Sequence, residues 1–172
     1  MNTLKSLVDG NKIPWVFKVP DEINRVVVHA DRFHSDDVMC VALLKETHDE
    51  NIEVVRLKRN ESVEAFTDYR TIICDVGMEY DGDLLFDHHQ LPSTVKPSQL
   101  RSAVGLIWDR YGNPIYNKVS AMIHDIDKHD CNSVQYRSQL CVTIGNFNPR
   151  WDSPDSDFDE NFLQAVEFCR II

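Results

Sequence analysis

Glycine is scarce in this 172-residue chain, at six residues, and no glycine-rich loop of the kind that cradles a nucleotide phosphate occurs. No apolar run approaches the ~20 residues that span a bilayer. The N-terminus has neither the apolar core of a secretory signal nor the arginine-rich character of a transit peptide. The five cysteines, Cys40, Cys74, Cys131, Cys141 and Cys169, include no Cys-x-x-Cys pair. Their odd number and scattered spacing argue against a disulfide frame or a structural zinc site, and for buried thiols in a reducing compartment; a cytoplasmic location is the expectation. Positive charge is in the minority, with 18 Lys and Arg against 28 Asp and Glu and a net charge of -10. That balance argues against broad, charge-driven binding of duplex nucleic acid. Its plainest cause is solubility, although carboxylates gathered round metal ions would cancel part of it. No internal repeat and no low-complexity segment is present.

The apolar content, 42%, is enough for one domain with a buried core. Residues 1–24, with Pro14 and Pro20, read as an N-terminal arm or short edge element, and residues 25–172 as the folded domain. Arg25 to Ala30 is a continuous β-branched run, as a buried strand should be. Ser35 or Asp36 can cap a helix running to about His48. Strands are expected over Ile52–Leu57, Thr71–Cys74 and Leu84–Phe86, with a short helix near Glu61–Phe66. Helical spacing then takes over in Ser102–Tyr111, Pro114–Lys128, Tyr136–Ile144 and Phe158–Ile172. Gly112-Asn113-Pro114 forms a break, and Pro114 suits a first helical turn. Strands alternating with helices imply an α/β domain with a mainly parallel central sheet flanked by helices.

In such sheets ligand groups gather at the carboxyl ends of the strands. Two clusters lie at those ends: His29-x4-His34-x-Asp36-Asp37 after the first strand, and Asp87-His88-His89-Gln90 after the fourth. Together they hold four of the seven histidines. Asp75 ends the third strand. Carboxylate oxygens suit hard divalent ions, and imidazole shifts preference toward Mn²⁺, Co²⁺ or Zn²⁺ rather than Mg²⁺. Two such ions sharing a bridging carboxylate, for which Asp75 is the natural candidate, can activate water and stabilise an in-line phosphoryl displacement. Each residue has a plainer alternative. Asp36 alone suits a helix N-cap, Asp75 a turn before Gly77, and His48 an exposed surface. Joint placement at several strand ends is what points to a divalent-metal site.

Asp87-His88-His89-Gln90 resembles the signature of the DHH phosphoesterase superfamily, and most closely its melanocyte-proliferating-gene branch. That branch's His-x-Gly-x-Phe-His-x-Asp-Glu reads here as His29-Ala30-Asp31-Arg32-Phe33-His34-Ser35-Asp36-Asp37. Its Asp-Val-Gly-Gly-x-Tyr-Asp reads as Asp75-Val76-Gly77-Met78-Glu79-Tyr80-Asp81. Its Ser-Ser-Ala-Gly-Leu-Ile-Tyr resembles Arg101-Ser102-Ala103-Val104-Gly105-Leu106-Ile107-Trp108. Its Asp-Ala-Ile-Asp-Asn-Gly resembles His124-Asp125-Ile126-Asp127-Lys128-His129, and its Leu-Asn-Pro-x-Trp resembles Phe147-Asn148-Pro149-Arg150-Trp151. The series spans about residues 25 to 170. The resemblance implies a DHH-type domain, at residues 25–172, lacking the family's C-terminal substrate-gripping half.

It further implies two metal ions, Mn²⁺ by preference, with Mg²⁺, Co²⁺ or Zn²⁺ as alternatives. One would take His29, His34 and Asp75; the other would take Asp36, Asp75, His88 and Asp127. His89 would touch the scissile phosphate, and Asp87 and Asp37 would orient neighbouring histidines, so that His89, Asp75 and Asp37 form the catalytic set. Departures from the pattern include Asp31 for Gly, Arg101 for Ser and Lys128-His129 for Asn-Gly. Arg101, Lys128 and Arg150 are the candidate substrate-binding cations, with Arg137 beside them; Trp151 is a candidate stacking surface and Trp108 a core residue.

The implied activity is 3′-5′ exonuclease cleavage of RNA or short single-stranded oligonucleotides. A small-molecule phosphohydrolase acting on a dinucleotide, nucleotide or pyrophosphate is the second reading, and a non-catalytic binding module the third. No membrane partner is expected. A homo-oligomer or a partner subunit would complete an otherwise open site.

Overall fold

A computed structural model describes residues 15–58, 60–90, 100–132 and 135–172. Residues 1–14 of the expected arm, Pro14 among them, lie outside these. Four strands, β1 (Arg25–His29), β2 (Glu53–Leu57), β3 (Thr71–Cys74) and β4 (Leu85–Phe86), form one sheet in the order β2-β1-β3-β4. Every pairing is parallel. Among the described residues five α-helices accompany it: α1 (Ser35–Thr47), α2 (Ala103–Tyr111), α3 (Asn117–Cys131), α4 (Gln139–Gly145) and α5 (Asp155–Arg170). The fold is thus α/β, with a parallel central sheet flanked by helices.

The sheet's two faces are covered unequally. Val26, Val28, Ile72, Cys74 and Phe86 point into the main core with side chains of all five helices. Their alternate neighbours Val27 and Ile73 lie on the other face, under Leu57, Val63, Phe66 and Val76. Both faces are buried, which is why these strands are apolar at nearly every position instead of alternating.

Helix α1 occupies the centre of the helical layer. Its run Val38-Met39-Cys40-Val41-Ala42-Leu43-Leu44 is apolar on every side, and every residue from Ser35 to Leu44 is buried. A helix apolar all round belongs inside a domain, and α1 touches each of the other four helices and β1. Helix α5 instead buries one stripe, Phe162, Ala165, Val166 and Cys169, at i, i+3, i+4 and i+7 spacing. Phe162 meets Phe33 edge-on at 5.5 Å. Residues 15–24 contribute three side chains to the same core: Phe17, Val19 and Ile23 are buried, and Phe17 stacks on Trp108 at 6.3 Å.

Several element ends depart from the sequence expectation: α4 starts at Gln139 rather than Tyr136, α5 at Asp155 rather than Phe158, and α3 runs on to Cys131. Two further departures have a local cause. Pro114 does not open the second helix of its pair. It sits in a turn closed by Tyr116 N–H to Asn113 carbonyl, and α3 starts only at Asn117. Asn113 causes this, because its side-chain oxygen takes the Ile115 N–H at 3.2 Å and fixes an Asx turn. The α1 cap is His34, not Ser35 or Asp36. The His34 N–H is taken by the Asp37 carboxylate at 3.0 Å, a reach-back typical of a capping box.

Among the described residues three non-glycines adopt left-handed backbone: Asp31 (φ 64°), Asp75 (φ 59°) and Met78 (φ 58°). Asp31 and Met78 stand where the family pattern has glycine, so glycine there serves a backbone need. Met78 is 60% exposed and has little packing to lose. The left-handed cost of about 1–2 kcal/mol outweighs the extra freedom of an unfolded glycine, about 0.5–1 kcal/mol. Met78→Gly is therefore expected to raise Tm by about 2–4 °C in thermal unfolding followed by circular dichroism. An unchanged or lower Tm would show that the backbone at Met78 carries no strain.

Candidate metal centre

The chain delivers acid and imidazole groups to one end of the sheet because strands β1, β3 and β4 all point the same way. His29 is the last residue of β1, Asp75 follows β3, and Asp87-His88-His89 follows β4. The first turn of α1 brings His34, Asp36 and Asp37, and the last turn of α3 brings Asp127, Asp130 and Cys131.

Asp75 sits at the middle. Its Oδ2 lies 3.2 Å from His29 Nε2. Its Oδ1 lies 3.4 Å from His88 Nε2 and 3.6 Å from His89 Nδ1. One carboxylate therefore faces two sets of imidazoles, one per oxygen. Four clusters among the described residues could hold a cation: His29, His34 and Asp75; Asp75, His88 and His89; His88, Asp130 and Cys131; and His34, Asp36 and Asp130. Each shares a residue with the next, through Asp75, His88, Asp130 and His34, so the four close into one ring of donors.

The buried atoms in this ring lack partners. Asp36 and Asp37 are fully buried and Asp75 is 4% exposed. Asp36 Oδ1, Asp37 Oδ2, both Asp75 oxygens, His29 Nε2 and His88 Nε2 are buried without a hydrogen bond. Buried carboxylates are costly unless hydrogen-bonded, paired or on a metal. His29 Nδ1 is 2.9 Å from the Ala30 carbonyl, which only accepts. The ring must therefore donate from Nδ1, so that Nε2, once it gives up its proton, presents a lone pair beside Asp75, as a metal-binding histidine must. The donor set fits one or more divalent cations.

Electrostatics carry the same signature. Burial drives the Asp36 carboxyl well above its ordinary range, with Asp130 and Asp75 adding to the shift. Burial also lifts Asp37 from 3.8 to about 7, against the pull of His29. Burial alone would lower His29, but Asp37 and Asp75 outweigh it and raise it from 6.5 to about 9. Asp75 goes the other way: burial opposes ionisation, yet the His29 and His88 imidazoles facing its two oxygens hold its carboxyl below the ordinary range. For His34, burial and the neighbouring His29 lower the pKa.

The residues singled out from sequence separate into those that converge and those that do not. His29, His34, Asp36, Asp75, His88 and His89 meet. Asp37 faces His29 Nε2 from 3.1 Å. Asp87 Oδ1 accepts from His89 Nδ1 at 2.7 Å and Oδ2 from the Met78 N–H at 2.8 Å, which fixes the His89 ring. Asp127 lies in none of the four clusters. Its carboxylate accepts from Ser102 N–H and Oγ at 3.0 and 2.8 Å and from Arg101 Nη1 at 2.6 Å. Gly105 leaves room for it; a β-carbon there would meet Asp127 Oδ1 at 2.1 Å.

Asp130, one helical turn on, takes the place beside the histidines, with Oδ2 3.2 Å from His88 Nε2. Neither Asp130 nor Cys131 was singled out as a ligand. The signal was present, because the family's Asp-x-x-Asp spacing is also met by Asp127-Lys128-His129-Asp130. The three expected substrate cations are engaged or distant from the ring. Arg101 bridges Asp127 and Asp109, Lys128 lies over the Tyr136 ring, and Arg150 pairs with Asp152. Trp108 is a core residue and Trp151 is 88% exposed. A cavity of about 180 Å³ opens on His29, His34, Asp75, Asp87 and His89.

Residues 25–135 match the model of the MYG1 exonuclease family, described as an uncharacterised protein family (UPF0160). The chain belongs to that family. Curated relatives include the MYG1 protein YER156C of Saccharomyces cerevisiae, 27% identical over 84% of this chain and 53% of its own length. The MYG1 protein C27H6.8 of Caenorhabditis elegans is 27% identical over 81% of this chain and 51% of its own. The MYG1 exonuclease of Bos taurus is 26% identical over 85% and 47%. The chain thus spans about half the length of the curated relatives it matches. No solved structure matches it with significance. No described helix is long and apolar enough to cross a membrane.

Without metal, Asp37 and His29 each bind protons more tightly folded than unfolded. Asp37 then contributes stability that is lost as pH rises from its unfolded value of 3.8 through about 7. His29 contributes stability lost between 6.5 and about 9. The Tm of chelator-treated protein should therefore fall from about pH 5 to about pH 9. Saturating Mn²⁺ should raise the Tm and remove that fall, because binding stabilises the folded state in proportion to RT ln(1 + [L]/Kd). A chelated protein whose Tm climbs over this range, or one indifferent to Mn²⁺, would contradict the electrostatic account.

Proposed function

We propose that this chain is a divalent-metal-dependent phosphodiesterase of the DHH type, acting on single-stranded nucleic acid with the 3′-5′ exonuclease polarity its family resemblance implies. The observation that carries the reading is Asp75: one buried carboxylate whose two oxygens face two separate imidazole sets, ringed by orphaned buried donors. The name of the Bos taurus relative, an exonuclease, supports the same class of reaction.

His29, His34 and Asp75 would hold one ion; Asp75 and His88, with Asp36 and Asp130, would hold the other. Divalent ions there supply Lewis-acid stabilisation of phosphoryl charge and acidify water. Asp130 stands in this set where the family resemblance had pointed to Asp127. Asp127 instead ties α2 to α3 through Ser102 and fixes the α3 turn that presents Asp130.

His89 is the proton donor of this reading. The Asp87 hydrogen bond is the main cause that raises its pKa, which favours the protonated ring a proton donor needs. Its half-exposed position in the cavity allows contact with a phosphate oxygen or a leaving group. Asp37 holds His29 at the outer edge of the centre. Mn²⁺ is the expected ion, because mixed carboxylate and imidazole donors suit it, while the Cys131 thiol nearby widens the range toward Zn²⁺ and Co²⁺.

The net charge of -10 favours a second reading, a phosphohydrolase for dinucleotides, nucleotides or pyrophosphate, over one that grips long polymers by charge. Purified protein with Mn²⁺ should shorten end-labelled single-stranded RNA from its 3′ end. Turnover of only the small substrates would select the second reading, and no turnover of either, with metal bound, would reject both. Asp75→Ala should abolish cleavage in folded protein. His89→Ala should retain bound metal while slowing turnover by about 10²- to 10⁴-fold. An Asp75→Ala protein of full activity, or loss of metal from His89→Ala, would reassign these roles.

A further inference from the structure

The chain is acidic, and its described arginines are mostly consumed internally. Arg25, Arg56, Arg101, Arg110, Arg150 and Arg170 each form an ion pair with an Asp or Glu. Among the described residues Arg32, Arg70 and Arg137 form none. Two of these three, Arg32 and Arg137, line one cavity of about 350 Å³, a volume within the ordinary range of ligand pockets. They reach it from distant parts of the chain, Arg32 from the loop between β1 and α1 and Arg137 from the segment before α4.

His129 and Asn148 are among the other polar residues of the lining, with His34, Ser35, Asp130 and Asn146. His129 Nδ1 accepts the Ser138 N–H at 3.1 Å, so the neutral ring carries its proton on Nε2, a further donor. Asn148 locks the loop that carries Arg32: its Oδ1 accepts the Phe33 N–H at 3.0 Å and its Nδ2 donates to the Phe33 carbonyl at 2.8 Å. The lone carboxylate among the lining residues is Asp130, which also faces His88 and the donor ring. His34 lines both this cavity and the smaller one over Asp75. The two cavities therefore adjoin at His34.

We propose that this cavity binds a second phosphate of a nucleotide chain, next to the phosphodiester seated over Asp75, so that the preferred minimal substrate carries two phosphate groups. The proposal rests on the nuclease reading of the metal centre, but its test does not depend on turnover. Two unpaired guanidiniums and an imidazole donor match a phosphate's three oxygens, and guanidinium binds phosphate in bidentate fashion. In a chain of net charge -10, such unneutralised cations also set where a polyanion can approach.

The experiment is calorimetric titration of metal-loaded protein with phosphorothioate-linked dithymidine, plain or carrying a terminal phosphate at its 5′ or 3′ end. One of the two phosphorylated forms should bind at least about tenfold more tightly than the plain one, the effect of a single charge-assisted contact. Inorganic phosphate should compete with that form more strongly than with the plain one. Arg32→Ala and Arg137→Ala should each remove most of the gain, with bound metal per chain unchanged. No gain from a phosphate at either end, or an undiminished gain in the double variant, would overturn the subsite. If the gain is present but no nucleic acid is ever cleaved, the nuclease reading fails and the subsite stands.

Discussion

The constraint on which the site depends is the burial of Asp75 among like charges. Asp36 and Asp37 are fully buried nearby and Asp75 is 4% exposed. Moving ionised carboxylates out of water without partners is prohibitive, and proteins respond with protons, hydrogen bonds or bound cations. Here hydrogen bonds are withheld: both Asp75 oxygens and one oxygen each of Asp36 and Asp37 have none. The folded chain must therefore carry extra protons on Asp36, Asp37 and His29, or exchange them for metal. This one imbalance links pH, metal and stability, and places the chemistry at the carboxyl ends of β1, β3 and β4.

Such a centre must be held rigidly, and much of the fold contributes to that. Helix α1 is buried on all sides, so its first turn, with His34, Asp36 and Asp37, has no freedom to swing outward. Two carboxylates in that turn also meet the positive end of the helix dipole. Asp127 ties α2 to α3 through Ser102 and Arg101, and the close approach at Gly105 leaves no slack between the helices. Asp75 adopts left-handed backbone (φ 59°) directly after β3, where its N–H is bonded to the Phe86 carbonyl of β4 at 3.1 Å. Backbone of this kind is found where the surrounding structure over-determines it and a site needs a particular direction.

Sequence reading recovers the parts of this design that are local in the chain. Val26 to Val28 and Ile72 to Cys74 announce buried parallel strands because both sheet faces are covered. His29, Asp75 and Asp87-His88-His89 follow because parallel strands share an end. What it misses depends on partners far along the chain. Arg101 looks like a free cation until Asp127 and Asp109, 26 and 8 residues away, take its guanidinium. Asp127 and Asp130 are one helical turn apart, and only the packing of α3 on α2 decides which faces the histidines. Arg137 is legible in the sequence as one candidate cation among several, but its pairing with Arg32 becomes notable only once every ion pair elsewhere is known. The Asn113 turn displaces the start of α3 because a single side-chain hydrogen bond outranks the preference of Pro114 for a helix start.

The most direct measurement is an anomalous-scattering map from crystals of the Mn²⁺-loaded protein. The account requires two peaks on opposite sides of the Asp75 carboxylate, about 3.5–4 Å apart, one beside His29 and His34 and the other beside His88. A metal-loaded crystal with no peak touching Asp75, or with its ions bound elsewhere, would contradict it.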